Sequence, residues 1–347
     1  MATLVDTPVF IGGLGVYLPD TVSVATAVER QWYPAEAART SELTGVAVAG
    51  PIPAPEMALW AAQDALKRSG HRGADLDLLL YVDTWHQGPD GWLPQSYLQR
   101  HLDAPDVLAT EIHSGCNGVL VALQLAAGQL AAGSRTALIV AADNFGTPKI
   151  DRWTVGEGYI PGDAAAAAVL TREPGFAQLL SVCAVSVPEA EEMHRAGEEL
   201  FPPPITLGRD LDFTARATSF REQLKRDGVG TSSLLKVHGQ TMAVADRALA
   251  EAGITLADVH RVLFLNFSRP MVEQRCMAAL GLPLERSVWD FGRTVGHLGA
   301  SDHLVALEHL VTTGQAGPGD HLLLLGLGPG VHLAAAVVKL LDQPAGG

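Results

Sequence analysis

The sequence has few cysteines, few basic residues for its length and no long uninterrupted apolar run. Its three cysteines are odd in number and widely scattered, which argues against a disulfide framework and favours a reducing compartment. The 24 lysines and arginines are outnumbered by 38 acidic residues, and the net charge of −14 argues against binding to nucleic-acid backbones. The apolar runs fall well short of the roughly 20 residues that a membrane span needs, so we expect no membrane association.

Short motifs that would indicate targeting to a compartment or binding of a cofactor are also missing. The first residues show neither the basic cluster nor the apolar stretch of a signal peptide, so we expect a cytoplasmic protein. The glycines within 12–15 form only a GGxG, which we interpret as strand packing rather than a phosphate loop. No metal-ligand spacing or nucleotide fingerprint stands out, and we therefore expect neither a metal nor a cofactor.

The composition of the sequence is typical of a globular α/β protein. The predicted strands and helices follow the same order in both halves of the chain. Apolar residues make up 48% of the 347 residues, enough for a large core. In the first half we predict strands at 9–18, 76–82, 107–112, 136–142 and 163–170, and helices at 57–69, 95–101 and up to about 132. In the second half we predict matching segments at 178–187, 241–252, 259–265, 287–291, 320–325 and 331–340.

This duplication predicts two similar α/β halves packed about a pseudo-twofold axis, residues 1–177 and 178–347. The segment at about 189–240 has no counterpart of equal length in the first half. We interpret it as an insertion that either caps the mouth of a site or is only a surface excursion.

Cys116 lies between the predicted strand at 107–112 and the predicted helix that follows it. Gly115 and Gly118 flank it, and glycine can take the tight turn required there. The unpaired N–H groups and the positive end of the helix favour a thiolate at such a place, which would make Cys116 a nucleophile. The alternative is an inert core cysteine, which is how we interpret Cys183 and Cys276.

The repeat pairs Cys116 with His297. Gly115-Cys116 in one half corresponds to Gly296-His297 in the other, each at a turn before a Val-Ala-Leu helix. A pseudo-twofold pairing of the two helix starts would bring the thiol and the imidazole together at the seam between the halves. A lone histidine is more often structural, but this match favours a functional pair.

At this point the sequence resembles the thiolase fold and, within it, the β-ketoacyl-acyl-carrier-protein synthase III family. The resemblance rests on the opening segment 11–19, the turn at Cys116, the Gly-Asp strand at 162–170 and the glycine loop at 326–330. It implies a layered α-β-α-β-α architecture and a homodimer joined edge to edge through a central strand.

Two departures from that family change the expected chemistry. The family's decarboxylating members use Cys, His and Asn, whereas Asn266 stands here in place of the His and His297 in place of the Asn. Asp302 follows five residues after His297. This pattern resembles an offshoot of acyltransferases in natural-product pathways with a Cys-His-Asp triad, although Asp302 also suits the first turn of a helix without any catalytic role.

The resemblance implies that Cys116 forms an acyl-enzyme, that His297 acts as general base and that Asp302 holds its tautomer. The expected reaction moves a preformed acyl group, malonyl or an aromatic polyketide acyl such as a salicylyl type, from a carrier-protein or coenzyme A thioester. The acceptor would be a hydroxyl of a secondary metabolite or a second carrier protein. The alternatives are a decarboxylating β-ketoacyl synthase III and a catalytically inactive partner subunit.

The residues expected to bind the substrate are less sharply defined. The family places an oxyanion hole between the N–H of the Cys and one N–H of the glycine loop, but Pro329 has none to give, which leaves Gly328 or Gly330. Asn266 is expected to donate from the former His position. Trp92 lies on a loop that reaches the substrate tunnel and dimer interface in the family, with ordinary loop anchoring as the equal alternative.

Overall fold

The computed structural model of the protein describes residues 7–146, 150–228 and 230–344. Within that part of the chain, no helix is both long enough and apolar enough to cross a membrane. The strands are β1 (Val9–Tyr17), β2 (Thr21–Ser23), β3 (Gly45–Ala47), β4 (Leu78–Asp83), β5 (Leu108–His113), β6 (Thr136–Asp143), β7 (Ala164–Thr171), β8 (Ala177–Ser186), β9 (Val259–Leu263), β10 (His321–Gly328) and β11 (His332–Leu340).

The helices alternate with these strands and include several short 3₁₀ turns. The α-helices are α1 (Val24–Glu29), α2 (Ala35–Ser41), α3 (Ala54–Ser69), α4 (Pro94–His101), α5 (Gly118–Ala131), α6 (Phe213–Arg226), α7 (Ser232–Ala252), α8 (Arg269–Val272), α9 (Ala278–Leu280), α10 (Trp289–Val295) and α11 (Asp302–Thr312). The 3₁₀ turns are Gly73–Asp75, Gly115–Asn117, Pro188–His194, Pro204–Leu207, Leu256–Asp258, Leu284–Arg286 and Gly299–Ser301, and Glu273–Met277 is a π-turn.

The two halves of the chain have the same strand order, as the repeat predicted. Counted outward from the middle of the sheet, the first half has the order β1-β7-β6-β4-β5 and the second half the order β8-β11-β10-β9. A short antiparallel contact between β1 and β8 joins them into one mixed sheet, with Val9 opposite Leu179. In the second half the place that corresponds to β5 holds only one parallel bridge, between Val262 and Ser287. The assignment of 1–177 and 178–347 to separate domains stays a prediction.

The helices stack on the strands in layers, which confirms the expected α/β architecture. Helix α3 covers β1, β6 and β7 from outside, and α7 covers β8 and β11 on the opposite outer face. Helices α5 and α11 lie between the halves: α5 touches strands of both, and α11 touches β1, β7 and β9. Their apolar side chains fill one continuous core with both sets of strands. The first turns of α5 and α11 therefore lie in the middle layer.

The segment predicted to match β5 in the second half is mostly helical. Ser287 makes the single bridge to Val262, and its Oγ then accepts a hydrogen bond from the Trp289 N–H at 3.1 Å. Helix α10 starts, with Val288 as its N-cap residue, at the point where a strand was expected. The alternation of the sequence there fits both structures.

The insertion at 189–240 is ordered as two 3₁₀ turns and helix α6. Phe220 and Leu224 of α6 are buried and belong to the core of the second half. The N–H of Phe213 donates to the carbonyl of Val155, which ties α6 to the loop that leads into β7. Helix α7 already begins at Ser232, so the insertion ends before residue 240.

Candidate active site

Strand β5 delivers Cys116 to a 3₁₀ turn that opens directly into α5. Gly115 before it has φ +61°, and a Cβ at this glycine would lie 2.5 Å from Cδ of Pro329. Both the left-handed backbone and the close approach of the proline ring require glycine. The turn leaves Cys116 half-buried, while Cys183 and Cys276 are fully buried as predicted.

His297 lies in a short extended stretch between α10 and the turn that precedes α11. Its N–H donates to the carbonyl of Ile160 at 2.9 Å, and its own carbonyl accepts from Gly162 at 2.8 Å. These two main-chain bonds fix the histidine to the loop before β7, and only 3% of the residue is exposed. It therefore follows a helix rather than a strand, which corrects the predicted strand-to-helix turn.

The structure brings Cys116, His297 and Asp302 together in one line. His297 Nε2 lies 2.8 Å from Cys116 Sγ, and its Nδ1 lies 2.5 Å from Asp302 Oδ2. Burial opposes a charge on the imidazole, but the negative charges of Cys116 and Asp302 outweigh it and raise the pKa of His297 well above its usual range. The arrangement thus favours a proton on the imidazole next to Cys116 Sγ.

Asp302 is fully buried and is bound by four donors. Besides His297, it accepts from the N–H of Leu298 at 2.8 Å, the N–H of Asn266 at 3.1 Å and the side-chain amide of Asn266 at 2.8 Å. These bonds compensate the cost of burying the carboxylate and fix its direction. Asn266, itself buried, is thereby bound to Asp302, whereas the sequence predicted that it would face the substrate.

Two aromatic rings surround the imidazole of His297. The ring of Tyr159 stands perpendicular to it with centroids 5.6 Å apart, and Phe267 packs edge-on at 5.1 Å. The two aromatic residues also touch each other at 5.5 Å. Edge-to-face contacts of this kind restrict the rotation of the imidazole and keep water from its face. Neither residue was singled out from the sequence.

The turn between β10 and β11 forms the opposite side of the nucleophile. A Cβ at Gly328 would meet Cβ of Asn117 at 3.0 Å, so this glycine packs directly on the turn, whereas Gly330 is exposed with open space around it. The side-chain amide of Asn117 donates to Nδ1 of His332 at 2.8 Å, which clamps the two turns together. Gly328 thus lies beside Cys116 and Gly330 does not.

Trp92 lies in a separate cavity at the β5 edge of the sheet. This cavity has a volume of about 270 Å³ and is lined by the loop after β4 together with Glu111 and His113, but by no member of the Cys116-His297-Asp302 group. Trp92 is 37% exposed and packs edge-on against Tyr97 of α4. Within this chain the structure therefore shows the anchoring contact and does not bring Trp92 to the thiol.

His113, at the end of β5, has a side chain that is 67% exposed. Its Nδ1 lies 2.7 Å from the buried Asp83, which raises the pKa of His113 although burial opposes the shift. His303 is buried and bonds the carbonyl of Leu325 through Nε2. Neither histidine contacts the thiol of Cys116.

Four residues around the site were not predicted from the sequence: Tyr159, Phe267, Asn117 and His332. Each stands within a few residues of a motif that was recognised, namely the Gly-Asp strand, Asn266, Cys116 and the glycine loop. Their role depends on which side chains meet across the seam between the halves, and spacing alone carries no such signal. Chemically, the site offers a thiol beside a charged imidazole, an arrangement that favours nucleophilic attack on a carbonyl followed by proton transfer.

Comparison with known proteins places the chain among related sequences and structures. Residues 110–186 match the family of 3-oxoacyl-[acyl-carrier-protein] synthase III and residues 249–340 match its C-terminal region. A β-ketoacyl-[acyl-carrier-protein] synthase III of Streptomyces avermitilis is 29% identical over 84% of this chain and 85% of its own length. A mycobacterial synthase III of Mycobacterium tuberculosis is 26% identical over 83% of this chain and 81% of its own.

The solved structures include one much closer relative. ChlB3, described as an acyltransferase, is 60% identical with a TM-score of 0.93, covering 98% of this chain and 100% of its own. The priming β-ketosynthase of the R1128 polyketide pathway has a TM-score of 0.77 at 21% identity, covering 97% of each chain, and so shares the fold. The chain belongs to the 3-oxoacyl-[acyl-carrier-protein] synthase III family of thiolase-fold enzymes.

Proposed function

We propose that this protein is an acyltransferase that carries a preformed acyl group on Cys116. The donor is a carrier-protein or coenzyme A thioester, and the acceptor is a hydroxyl of a secondary metabolite or the thiol of a second carrier protein. The observation that carries the proposal is the line of Cys116 Sγ, His297 and Asp302, with contacts of 2.8 Å and 2.5 Å. The 60% identity to ChlB3, described as an acyltransferase, supports the same class of reaction.

In the first half-reaction the thiolate of Cys116 attacks the carbonyl carbon of the donor thioester. A tetrahedral intermediate forms, the bond from carbon to the donor sulfur breaks, and His297 gives its Nε2 proton to the departing thiolate. Asp302 stabilises the charged imidazole and holds its Nδ1–H. The products are the acyl-enzyme, a neutral His297 and the free donor thiol.

In the second half-reaction the acceptor attacks the acyl-enzyme. Neutral His297 removes the proton of the acceptor hydroxyl or thiol at Nε2 as the new bond to the acyl carbon forms. The bond between that carbon and Cys116 Sγ then breaks, which restores the resting pair of thiolate and imidazolium. The same histidine thus acts as acid in the first step and as base in the second.

Decarboxylative condensation is the less favoured alternative. It would need hydrogen-bond donors placed at the oxygen of an enolate. Asn266 is buried and gives its side-chain amide to Asp302, and Nδ1 of His297 is bound to the same carboxylate. The Asn266 amide and His297 Nδ1 are therefore already bound to Asp302 before a malonyl group arrives, and His297 Nε2 faces Cys116.

Intact-protein mass spectrometry after incubation with a panel of acyl thioesters tests the proposal. We expect one acyl adduct on the wild type and none on Cys116→Ala. Cys183→Ala is the matched control and should acylate normally, because burial raises the pKa of the Cys183 thiol to about 12. An adduct that persists on folded Cys116→Ala would refute the assignment, and a wild type that gains none would favour an inactive subunit.

Isotope-labelled malonyl thioester separates transfer from condensation. With the acyl-enzyme formed, we expect no labelled carbon dioxide and no ketoacyl product, but discharge of the acyl group to a hydroxylated acceptor or a holo carrier protein. His297→Ala should keep a slow first acylation and lose most of the transfer, since the acceptor then lacks its base. Labelled carbon dioxide together with the matching ketoacyl product would establish the condensing alternative.

A further inference from the structure

The hydroxyl of Tyr159 is a polar group beside the thiol for which the described part of the chain provides no hydrogen-bond partner. The side chain is half-buried, and the ring packs in the same apolar cluster as Cys116. Half-buried tyrosines usually find a partner for the hydroxyl while the ring packs. Because the side chain is only half-buried, its hydroxyl is open to solvent or to a bound molecule, which can accept from it.

Main-chain bonds on both sides hold Tyr159 in position. The carbonyl of Gly158 accepts from the N–H of Ser268 at 2.7 Å, and the carbonyl of Ile160 accepts from His297 at 2.9 Å. Gly158 has φ +81°, a left-handed conformation that favours glycine, and a Cβ there would lie 2.2 Å from Sδ of Met271 in α8. Tyr159 is thus fixed between the segments that carry Phe267 and His297.

The ring of Tyr159 borders the reacting pair directly. It stands at 89° to the imidazole of His297, 5.6 Å away, and the charge of Cys116 acts on its hydroxyl. Burial, together with that negative charge, raises the pKa of Tyr159 far above its ordinary value of 10.0. The phenol therefore keeps its proton at every working pH and can only donate or accept a hydrogen bond there, not act as a base.

The other wall of the site is poor in donors. Pro329 packs against Gly115, next to the thiol, and a proline has no N–H. An acyl-transfer site nevertheless needs donors for the oxygen on which charge develops when a thiolate adds to a carbonyl. The N–H of Cys116 lies at a helix start and is one such donor. Gly328, which packs on the same turn, offers a second N–H, and a side-chain hydroxyl on the opposite wall adds a further donor.

We propose that the Tyr159 hydroxyl donates a hydrogen bond to the carbonyl oxygen of the thioester substrate and strengthens that bond as the oxygen becomes negative. This rests on the proposed acyl transfer through Cys116. The phenol proton stays on Tyr159 throughout; the carbonyl π bond opens when Cys116 adds, and it closes again when the donor thiolate leaves. Tyr159 is then a catalytic residue that makes no covalent bond.

Tyr159→Phe tests this role, because it keeps the ring that packs on His297 and removes only the donor. We expect acylation of Cys116 by an acyl thioester to slow by about 100-fold, mainly in kcat, as for the loss of one oxyanion donor. Alkylation of Cys116 by iodoacetamide should keep its wild-type rate, since that reaction needs the thiolate but builds no oxyanion. Tyr17→Phe, a tyrosine that packs on Trp60 away from the site, is the matched control.

The outcomes separate the two proposals. If Tyr159→Phe acylates as fast as Tyr17→Phe, Tyr159 is not a donor to the substrate. If alkylation and acylation slow by the same factor, Tyr159 acts on the Cys116 and His297 pair instead, and the proposal fails in that way. If the wild type is alkylated but never acylated by any thioester, the proposed function fails, whatever Tyr159 does.

Discussion

Four donors converge on the carboxylate of Asp302, and this convergence governs the chemistry of the site at the scale of single residues. Asp302 lies in the first turn of α11, where a carboxylate is favourable whatever its role. Its contact to His297 Nδ1 at 2.5 Å goes beyond that structural role, because it fixes the tautomer that turns Nε2 toward Cys116. An aspartate that served only the helix dipole would not need a histidine partner.

Asp302→Asn tests whether this carboxylate supports transfer. The amide cannot accept from all four donors and leaves His297 in the wrong tautomer, so we expect transfer to fall by about 1,000-fold or more. The rate of acyl transfer to a hydroxyl acceptor is the measurement, with thermal unfolding as a check on folding. Asp290→Asn replaces an exposed carboxylate of α10 and should retain full activity. If the Asp302→Asn variant folds and transfers acyl groups at the normal rate, Asp302 only stabilises the start of α11 and has no part in transfer.

At the scale of elements, the conformation of the turn before α5 depends on Gly115. Gly115→Ala forces a Cβ to within 2.5 Å of Pro329 at φ +61°. We expect the free energy of unfolding to drop by about 1–2 kcal/mol from the backbone strain alone, and acylation of Cys116 to be lost with the turn. Urea unfolding and intact mass measure the two effects.

Gly128→Ala in the same helix is the matched control. Gly128 is exposed, a Cβ there meets nothing within 4 Å, and its backbone is helical. The substitution should raise stability by about 0.5–1 kcal/mol and leave acylation unchanged. Equal effects of the two substitutions would mean that the close approach of Pro329 to Gly115 does not matter.

Strand β5 carries a carboxyl group whose protonation affects stability. Burial raises the pKa of Glu111 from 4.5 to about 7, and the adjacent Asp83 carboxyl adds to the shift. A raised pKa in the folded state gives stability that is present at low pH and is lost as pH rises through about 7. The wild type should therefore be less stable at slightly alkaline than at mildly acidic pH.

Glu111→Gln removes this contribution, because an amide can donate to Asp83 at any pH. We expect the loss of stability between about pH 5 and about pH 8 to be shallower than in the wild type, measured as the urea midpoint. Burial also raises the pKa of Asp143 to about 7, so part of the slope persists. Glu56→Gln, at an exposed position of α3, should follow the wild-type curve.

At the scale of the whole molecule, we predict a homodimer joined through β5. This strand lies at the end of the sheet order, and its Leu108 is 61% exposed. An unpaired strand edge with an exposed apolar side chain is a template for pairing with a second strand. A C₂ contact there would continue the sheet across both copies and cover the cavity that holds Trp92.

Light scattering on Ala109→Pro tests the edge. The Leu108 N–H donates to Asp77 on the β4 side, so the N–H of Ala109 points outward and proline removes only that outer donor. We expect the wild type and Ala109→Gly at twice the chain mass of 36.5 kDa, and Ala109→Pro at the chain mass. A wild type that scatters as a monomer at micromolar concentration would rule the dimer out.

Much of this architecture follows from the sequence because local patterns specify it. Strands β4, β6 and β7 are continuous apolar runs that only a doubly covered sheet can bury, and the order of elements repeats. The glycines on either side of Cys116 predict the turn there, and the internal repeat predicts a corresponding turn at His297. Local signals failed where two structures share one pattern, as at 287–291, where helix α10 forms instead of the expected strand.

The tertiary structure alone decided which side chains meet at the seam between the halves. Asn266 bonds Asp302 because the loop after β9 packs against the start of α11, a contact between residues 36 positions apart. Tyr159 borders His297 because the loop before β7 pairs with its backbone across more than a hundred residues. Spacing along the chain encodes neither contact, since the first depends on packing within the second half and the second on how the two halves dock. The sequence determined the fold and the nucleophile turn, and docking of the halves decided what surrounds the thiol.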